Sequence, residues 1–207
     1  MDNYIQFPRY SIYLIPDKLF IDQVDNLLLK YDVKFDSLEL SKYGLHYTVK
    51  APFYLSHLYS EEELINSFED YFFSNQNKSY KDDFNVLGLK KIKNVFALEI
   101  NTNEKFNFLC NDIMRHFDLF RKTLNQQEIQ KDLKRFTNLS TLEMEYYFIW
   151  GYPYLFEFSN HHISVSDITK EIIFDNSIKF LNYSNISLMK QDSSNSKFIS
   201  ICKSDQS

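Results

Sequence analysis

The sequence predicts an α+β protein made of two pseudo-symmetric lobes, each an antiparallel sheet covered by helices, with a cleft between them. Three observations lead there. Strand-like and helix-like patterns recur in the same order in the first and second parts of the chain, with different linkers between them. Strands in each part come as hairpins rather than as alternating strand–helix units, which favours antiparallel pairing. A polar triple at alternate positions occurs once in each part, His46, Thr48, Lys50 in "YGLHYTVKAPF" and His162, Ser164, Ser166 in "NHHISVS".

Taken in order, "RYSIYLIP" reads as a strand that stops at Pro16, and "DKLFIDQVDNLLLKY" follows with Leu19, Val24, Leu27 and Leu28 at helical spacing. The first polar triple reads as a strand. In "SEEELINSFEDYFF", Ser60 and Glu63 form the signature of a capping box that opens a helix. "FNVLGLKKIKNVFALEI" alternates on both sides of Lys93-Asn94, as a hairpin does. "NEKFNFLCNDIMRHFDLFRKTL" places Phe106, Leu109, Ile113, Phe117 and Phe120 on one helical face. Further helix is expected from Gln126 to about Phe136 and near Leu142. "WGYPYLFEFSNHHISVS" returns to strand character, "DITKEIIFDNSIKFL" reads as a helix, and "NISLMKQ" with "SKFISICK" reads as a hairpin turning at "DSSN". No linker rich in Pro, Gly or Ser divides the chain, so residues 1–207 are expected to form one bilobal unit.

Composition narrows the function classes. The 207 residues are 44% hydrophobic and 17% aromatic, enough for a full core and against disorder. With 23 Lys and Arg against 28 Asp and Glu, the net charge of −5 disfavours long nucleic acid as the principal partner. Two cysteines, Cys110 and Cys202, lie far apart without metal-type spacing, which fits a reducing, cytoplasmic setting. Neither a signal-peptide pattern nor an apolar run of membrane length is present, so no membrane partner is expected, and a monomer is the simplest state.

In a strand, alternate residues share a face, so His46 with Thr48 and His162 with Ser164 each present an imidazole and a hydroxyl together. With five histidines in the chain, two chance matches to H-x-S/T arise in about one sequence in eight. The pairing therefore gains its weight from context: both fall on strands, at corresponding places in the repeat, with the histidine on the polar face. Histidines in H-x-x-x-H or H-E-x-x-H spacing are absent, as are P-loop, G-x-G-x-x-G and G-x-S-x-G motifs. No metal and no cofactor is expected, and His161 is expected to point away from the face of His162.

These residues resemble the two-histidine (2H) phosphoesterase superfamily. More narrowly, "RYSIYLIP", "YGLHYTVKAPF", "FDLFRKTL", "WGYPYLFEF" and "HHISVSD" follow the order and wording of a bacterial branch associated with phosphonate-metabolism operons. Ser164 stands where that branch more often has Thr, and Asn160-His161 where Arg-Phe is usual. The resemblance implies a phosphodiesterase acting on a small cyclic phosphate or nucleotide. His46 and His162 would be acid and base, in an order the sequence leaves open, and Thr48 and Ser164 would donate to non-bridging oxygens. Lys50, read on the face of His46, would add a cation. Arg9 and Tyr13, sharing a face of the first strand, are candidates for a phosphate and for a sugar or base. Arg121 is a further substrate contact, and Trp150, Tyr152 and Tyr154 are rings able to stack on a base. Degradation of a cyclic-nucleotide messenger and non-catalytic capture of a phosphorylated ligand are the competing readings.

Overall fold

A computed structural model describes residues 7–74, 84–92, 94–167, 171–174 and 177–204. The strands are β1 (Arg9–Pro16), β2 (Tyr47–Tyr54), β3 (Phe84–Ile92), β4 (Val95–Asn101), β5 (His162–Ser166), β6 (Phe180–Leu181), β7 (Tyr183–Gln191) and β8 (Ile199–Lys203). The helices are α1 (Lys18–Leu29), α2 (Glu61–Ser74), α3 (Glu104–Asp118), α4 (Gln126–Arg135) and α5 (Thr141–Trp150). Among the described residues, the eight strands join one strongly curled antiparallel sheet in the order β6-β3-β4-β5-β2-β1-β7-β8.

The sheet has a waist. Where β2 meets β5, a single registered pair, Tyr47 with Ile163, joins four strands on one side to four on the other. Sequential order and spatial order part company here. The β3–β4 hairpin, which follows β2 in the chain, flanks β5, while the β7–β8 hairpin, which follows β5, flanks β1. Each half of the sheet thus takes its outer hairpin from the other part of the sequence, an arrangement that local patterning does not reveal.

One face of the sheet carries the main core. Tyr10, Ile12 and Leu14 of β1 and Tyr47, Val49 and Phe53 of β2 pack in one cluster with Phe20, Val24 and Leu28 of α1, Leu64 and Phe68 of α2, and Phe106, Leu109, Ile113 and Phe117 of α3. The predicted α3 stripe is buried as expected, including Phe120 just beyond the helix. In α1 the buried residue of the first turn is Phe20, whereas Leu19 is 59% exposed, because the Asp17 cap on the Phe20 amide sets a phase that turns Leu19 outward. The Ser60–Glu63 capping box forms as predicted, and equivalent boxes open α4 at Asn125–Glu128 and α5 at Ser140–Glu143.

Two expected elements differ. The strand expected from "WGYPYLFEF" is the end of α5 and the loop after it. Trp150 closes the helix and Gly151 adopts the left-handed cap (φ 73°), while Pro153 prevents further helix, so Gly-then-Pro is a stop signal here. The helix expected within "DITKEIIFDNSIKFL" is not formed by residues 171–174 or 177–179. Ile172 and Ile178, six apart, are both buried, and Phe180–Leu181 pairs with β3 instead. Residues 168–170 and 175–176 of that segment, and Lys93 of the predicted hairpin turn, lie outside the described residues.

Candidate active site

The waist organises the site. Because Tyr47 lies opposite Ile163 and both point into the core, the next residues outward on each strand point the other way. Antiparallel pairing then sets Thr48 against His162 and His46 against Ser164. On that register each histidine stands opposite the hydroxyl-bearing residue of the other motif. Diagonal neighbours in such a pair have Cα atoms about 7–8 Å apart, which leaves room for one phosphate between two imidazoles. The two rings are near enough for the charge of one to disfavour protonation of the other.

Both histidines are held in the same way. The Nδ1–H of His46 donates to the Gly44 carbonyl two residues upstream at 2.8 Å, and that of His162 to the Asn160 carbonyl, also two residues upstream, at 2.6 Å. A carbonyl accepts only, so each ring is fixed as the Nδ1–H tautomer when neutral, with Nε2 left to reach a ligand. Gly44 has φ 68°, a conformation that favours glycine and turns its carbonyl toward the ring that follows.

Their surroundings differ. Tyr13, opposite Thr48 on β1, stacks on the His46 ring with centroids 3.7 Å apart and planes 20° apart. Tyr13 is itself buried in a small second cluster with Met189 and Phe198, against which Ile15 and Tyr43 pack. Loss of hydration pushes the His46 pKa down to about 4, outweighing the stabilising carbonyls of Gly44 and Tyr43. The pKa of His162 is also lowered by burial, and by the Lys90 ammonium, against the opposing effect of the Asn160 carbonyl. Glu99 is registered directly opposite His162 on β4 and accepts from Lys90 Nζ at 2.6 Å.

The other predicted residues fall into place unevenly. Tyr13 lies against the ring of His46. Lys50 leaves the face of His46, because β2 carries one extra residue relative to β1 between Thr48 and Lys50 and a second between Lys50 and Phe53, and such bulges break alternation. Lys50 is buried, and its ammonium bonds to Asp118 Oδ1 at 2.9 Å, at the end of α3. Burial lowers its pKa while Asp118 opposes that shift. Arg121 grips the same Asp118 at 2.9 and 3.1 Å and donates to the Ile149 carbonyl at 2.8 Å, so it fastens α5 to α3. Arg9 donates through Nε and Nη2 to Gln191. Among the described residues, His, Cys, Asp and Glu do not gather in groups of three or more suited to a metal ion, and no helix is long and apolar enough to cross a membrane.

Beside the Tyr47–Ile163 pair lies a cavity of about 710 Å³. Thr48 and His162 line it, and it continues to Asn107 and Asn111 of α3 and to Phe136, Tyr152 and Tyr154. Those three rings pack edge to face, 5.6–5.8 Å between centroids. Trp150 instead packs on Phe156. His161 also lines the cavity, with its Nδ1 bonded to the Tyr47 hydroxyl at 2.5 Å. Alternation predicts that His161 and His162 face opposite ways; His161 precedes β5, and both histidines line this cavity.

Over 127 residues, 61% of this chain, the sequence is 30% identical to the ribose 1,5-bisphosphate phosphokinase PhnN of Janthinobacterium sp. (strain Marseille), and the matched stretch spans 27% of that protein. Residues 48–199, which take in Thr48, His162 and Ser164 and begin two residues after His46, match the family described as "Protein of unknown function (DUF1045)", and the chain belongs to that family.

Proposed function

We propose that this protein is a metal-independent phosphodiesterase of the 2H type, hydrolysing a small cyclic phosphate or nucleotide phosphodiester, with the two four-stranded halves of the sheet acting as its lobes. The observation that carries this reading is the mirrored pair His46–Thr48 and His162–Ser164 about Tyr47–Ile163, with both imidazoles anchored through Nδ1 to a carbonyl two residues upstream.

In the proposed reaction, Nε2 of His46, neutral because of its low pKa, takes a proton from an attacking water as its oxygen bonds to phosphorus. His162, protonated on both ring nitrogens once the anionic phosphate is bound, gives the Nε2 proton to the departing ester oxygen as the P–O bond breaks. Thr48 and Ser164 donate to the non-bridging oxygens, where negative charge grows. Lys50 has no part in this step, because Asp118 holds it.

The similar phosphokinase is named for a ribose bisphosphate. That name supports a phosphorylated ribose as the core of the substrate and a setting in phosphonate metabolism. Its kinase activity is not proposed for this chain, which spans about a quarter of that protein and has no P-loop sequence. The test is turnover of nucleoside 2′,3′-cyclic phosphates and ribose cyclic phosphates in excess chelator. Hydrolysis that survives chelation and is lost in both His46→Ala and His162→Ala supports the reading. Binding without turnover would instead indicate a capture module, and activity restored only by zinc or manganese would make the histidines ligands.

A further inference from the structure

We propose that Tyr13 is a positioning residue for His46: its ring face holds the imidazole in one orientation and stabilises the imidazolium that forms when His46 takes a proton. This deepens the phosphodiesterase reading, on which it rests for the role of His46 as base. The two rings stack with centroids 3.7 Å apart and planes 20° apart, well inside the roughly 6 Å at which an aromatic face attracts a cation. Tyr13 is registered opposite Thr48 and belongs to the second buried cluster rather than to the main core, so its ring stands beside the imidazole two residues from Thr48. Tyr13 is 1% exposed, and it reaches a ligand only through His46, part of whose surface stays open.

The stack is braced from the other half of the sequence. Phe198, just before β8, packs on Tyr13 with centroids 5.6 Å apart, and Tyr43 stacks on Phe198 in turn, also at 5.6 Å. The Phe198 amide donates to the Lys42 carbonyl at 2.8 Å, which ties the β7–β8 hairpin to the segment that leads into His46. The Gly44 carbonyl holds the imidazole by an edge and Tyr13 holds it by a face, so the ring is fixed in two directions.

An aliphatic wall would desolvate His46 as well, and desolvation alone disfavours the cation. An aromatic face differs, because its negative quadrupole attracts a cation and is nearly indifferent to a neutral ring. In the proposed reaction the proton of the attacking water passes to His46 Nε2 as the water oxygen bonds to phosphorus, so the ring turns from neutral to cationic within the step. Its contact with Tyr13 therefore strengthens toward the transition state, and interactions of that kind raise kcat rather than ground-state binding. Burial keeps the Tyr13 phenol protonated by raising its pKa, so the face acts through its quadrupole and not as a phenolate. The other groups bearing on the His46 charge are His162, which opposes it, and the carbonyls of Gly44 and Tyr43, which favour it. Arg9, Tyr43 and Tyr152 are the charged or titratable groups that bear on Tyr13.

The test varies the quadrupole at nearly constant shape. Tyr13→Phe is the reference, and mono-, di- and trifluorinated phenylalanines installed at position 13 weaken the face step by step without adding an acidic phenol. The pKa of His46 is read by NMR of the imidazole in the free protein and again as the ascending limb of kcat/KM for a nucleoside 2′,3′-cyclic phosphate, with the His162 titration as internal control. The His46 pKa is expected to fall with each fluorine, by about 1 pH unit over the series, and kcat to fall with it by up to about 10-fold, while His162 and the thermal midpoint stay where they are. A His46 pKa that ignores fluorine, or one that falls while kcat holds constant, overturns the proposal and leaves the phosphodiesterase reading in place. If even the wild type turns over no diester, that reading fails and the titration decides the stack alone: a pKa that follows fluorine supports it, and one that does not overturns it.

Discussion

The two motifs at the waist are alike in sequence and in anchoring, yet the walls behind them are not. His46 sits on a buried tyrosine, backed by Met189 and Phe198, and its pKa falls to about 4. His162 sits beside the Lys90–Glu99 ion pair and at the mouth of the cavity. Internal symmetry supplies two similar imidazoles, and asymmetry in what packs behind them gives each a distinct protonation preference, which is how one residue type would serve as both base and acid in the proposed reaction. The neutral, stacked ring is suited to be the base, and the ring next to solvent and to the incoming phosphate is suited to be the acid.

The largest effect that bears on this comparison is removal of either imidazole. His46→Ala and His162→Ala are each expected to lower kcat by about 10² to 10⁴, with substrate binding little changed, and the double variant to fall short of the product of the two. A base and an acid part company with the leaving group. A substrate with an activated leaving group, such as a p-nitrophenyl phosphodiester, needs little protonation, so it should rescue His162→Ala far more than His46→Ala. Rescue of the opposite variant would reverse the assignment.

Next come the hydroxyls. Thr48→Val and Ser164→Ala each remove one neutral donor, and a loss of about 10-fold to a few hundred-fold in kcat is expected from single-turnover rates. Symmetry predicts similar losses for the two. A much larger loss for Thr48→Val would show that its place beside the cavity adds a second role.

The pH profile comes third. The base must be unprotonated and the acid protonated, so kcat/KM should rise through about 4 and fall as His162 titrates, at a pH below its usual 6.5. The optimum is thus expected on the acid side of neutrality. Folding stability carries the same signature. The unfolded chain takes up a proton on His46 near pH 6.5 while the folded chain resists until about 4, so stability is complete above 6.5 and is lost as pH falls through that window. Thermal unfolding between pH 4 and 7 checks it, and His46→Asn should flatten the slope.

Much of this was readable from local patterns. The H-x-T and H-x-S pairs, the α3 stripe and the Ser60–Glu63 box depend on alternation, helical period and capping, all of which act within a few residues. The exchange of hairpins between the halves was not readable, because which strand a hairpin joins is decided by the whole sheet. Lys50 was misplaced for a related reason: the bulges that turn it toward Asp118 arise from the register of β2 against β1. Both "WGYPY" and His161 were judged by strand alternation alone. The Gly-Pro stop signal was present in the first and overlooked, whereas the cavity beside the second is lined by residues from distant parts of the chain, which no local pattern brings together.

The smallest expected effect isolates the wall behind His162. Lys90 lowers the pKa of that ring through its charge, and its ammonium is partly screened by Glu99 and by solvent. In Lys90→Met the cation is gone and the Glu99 carboxylate, registered opposite His162, loses its partner. Both changes favour the protonated imidazole, so the pKa of His162 rises and the descending limb of kcat/KM moves to higher pH. A partly exposed pair supports only a small shift, in keeping with the modest worth of surface charge interactions. The ascending limb, set by His46 on the far side of the waist, should stay where it is. Movement of that limb alone would mean that the two histidines have been assigned in the wrong order, since the charge of Lys90 acts on His162 and His161 and not on His46. Raising the salt concentration on the wild type should reproduce part of the same shift, because screening weakens Lys90 without removing it.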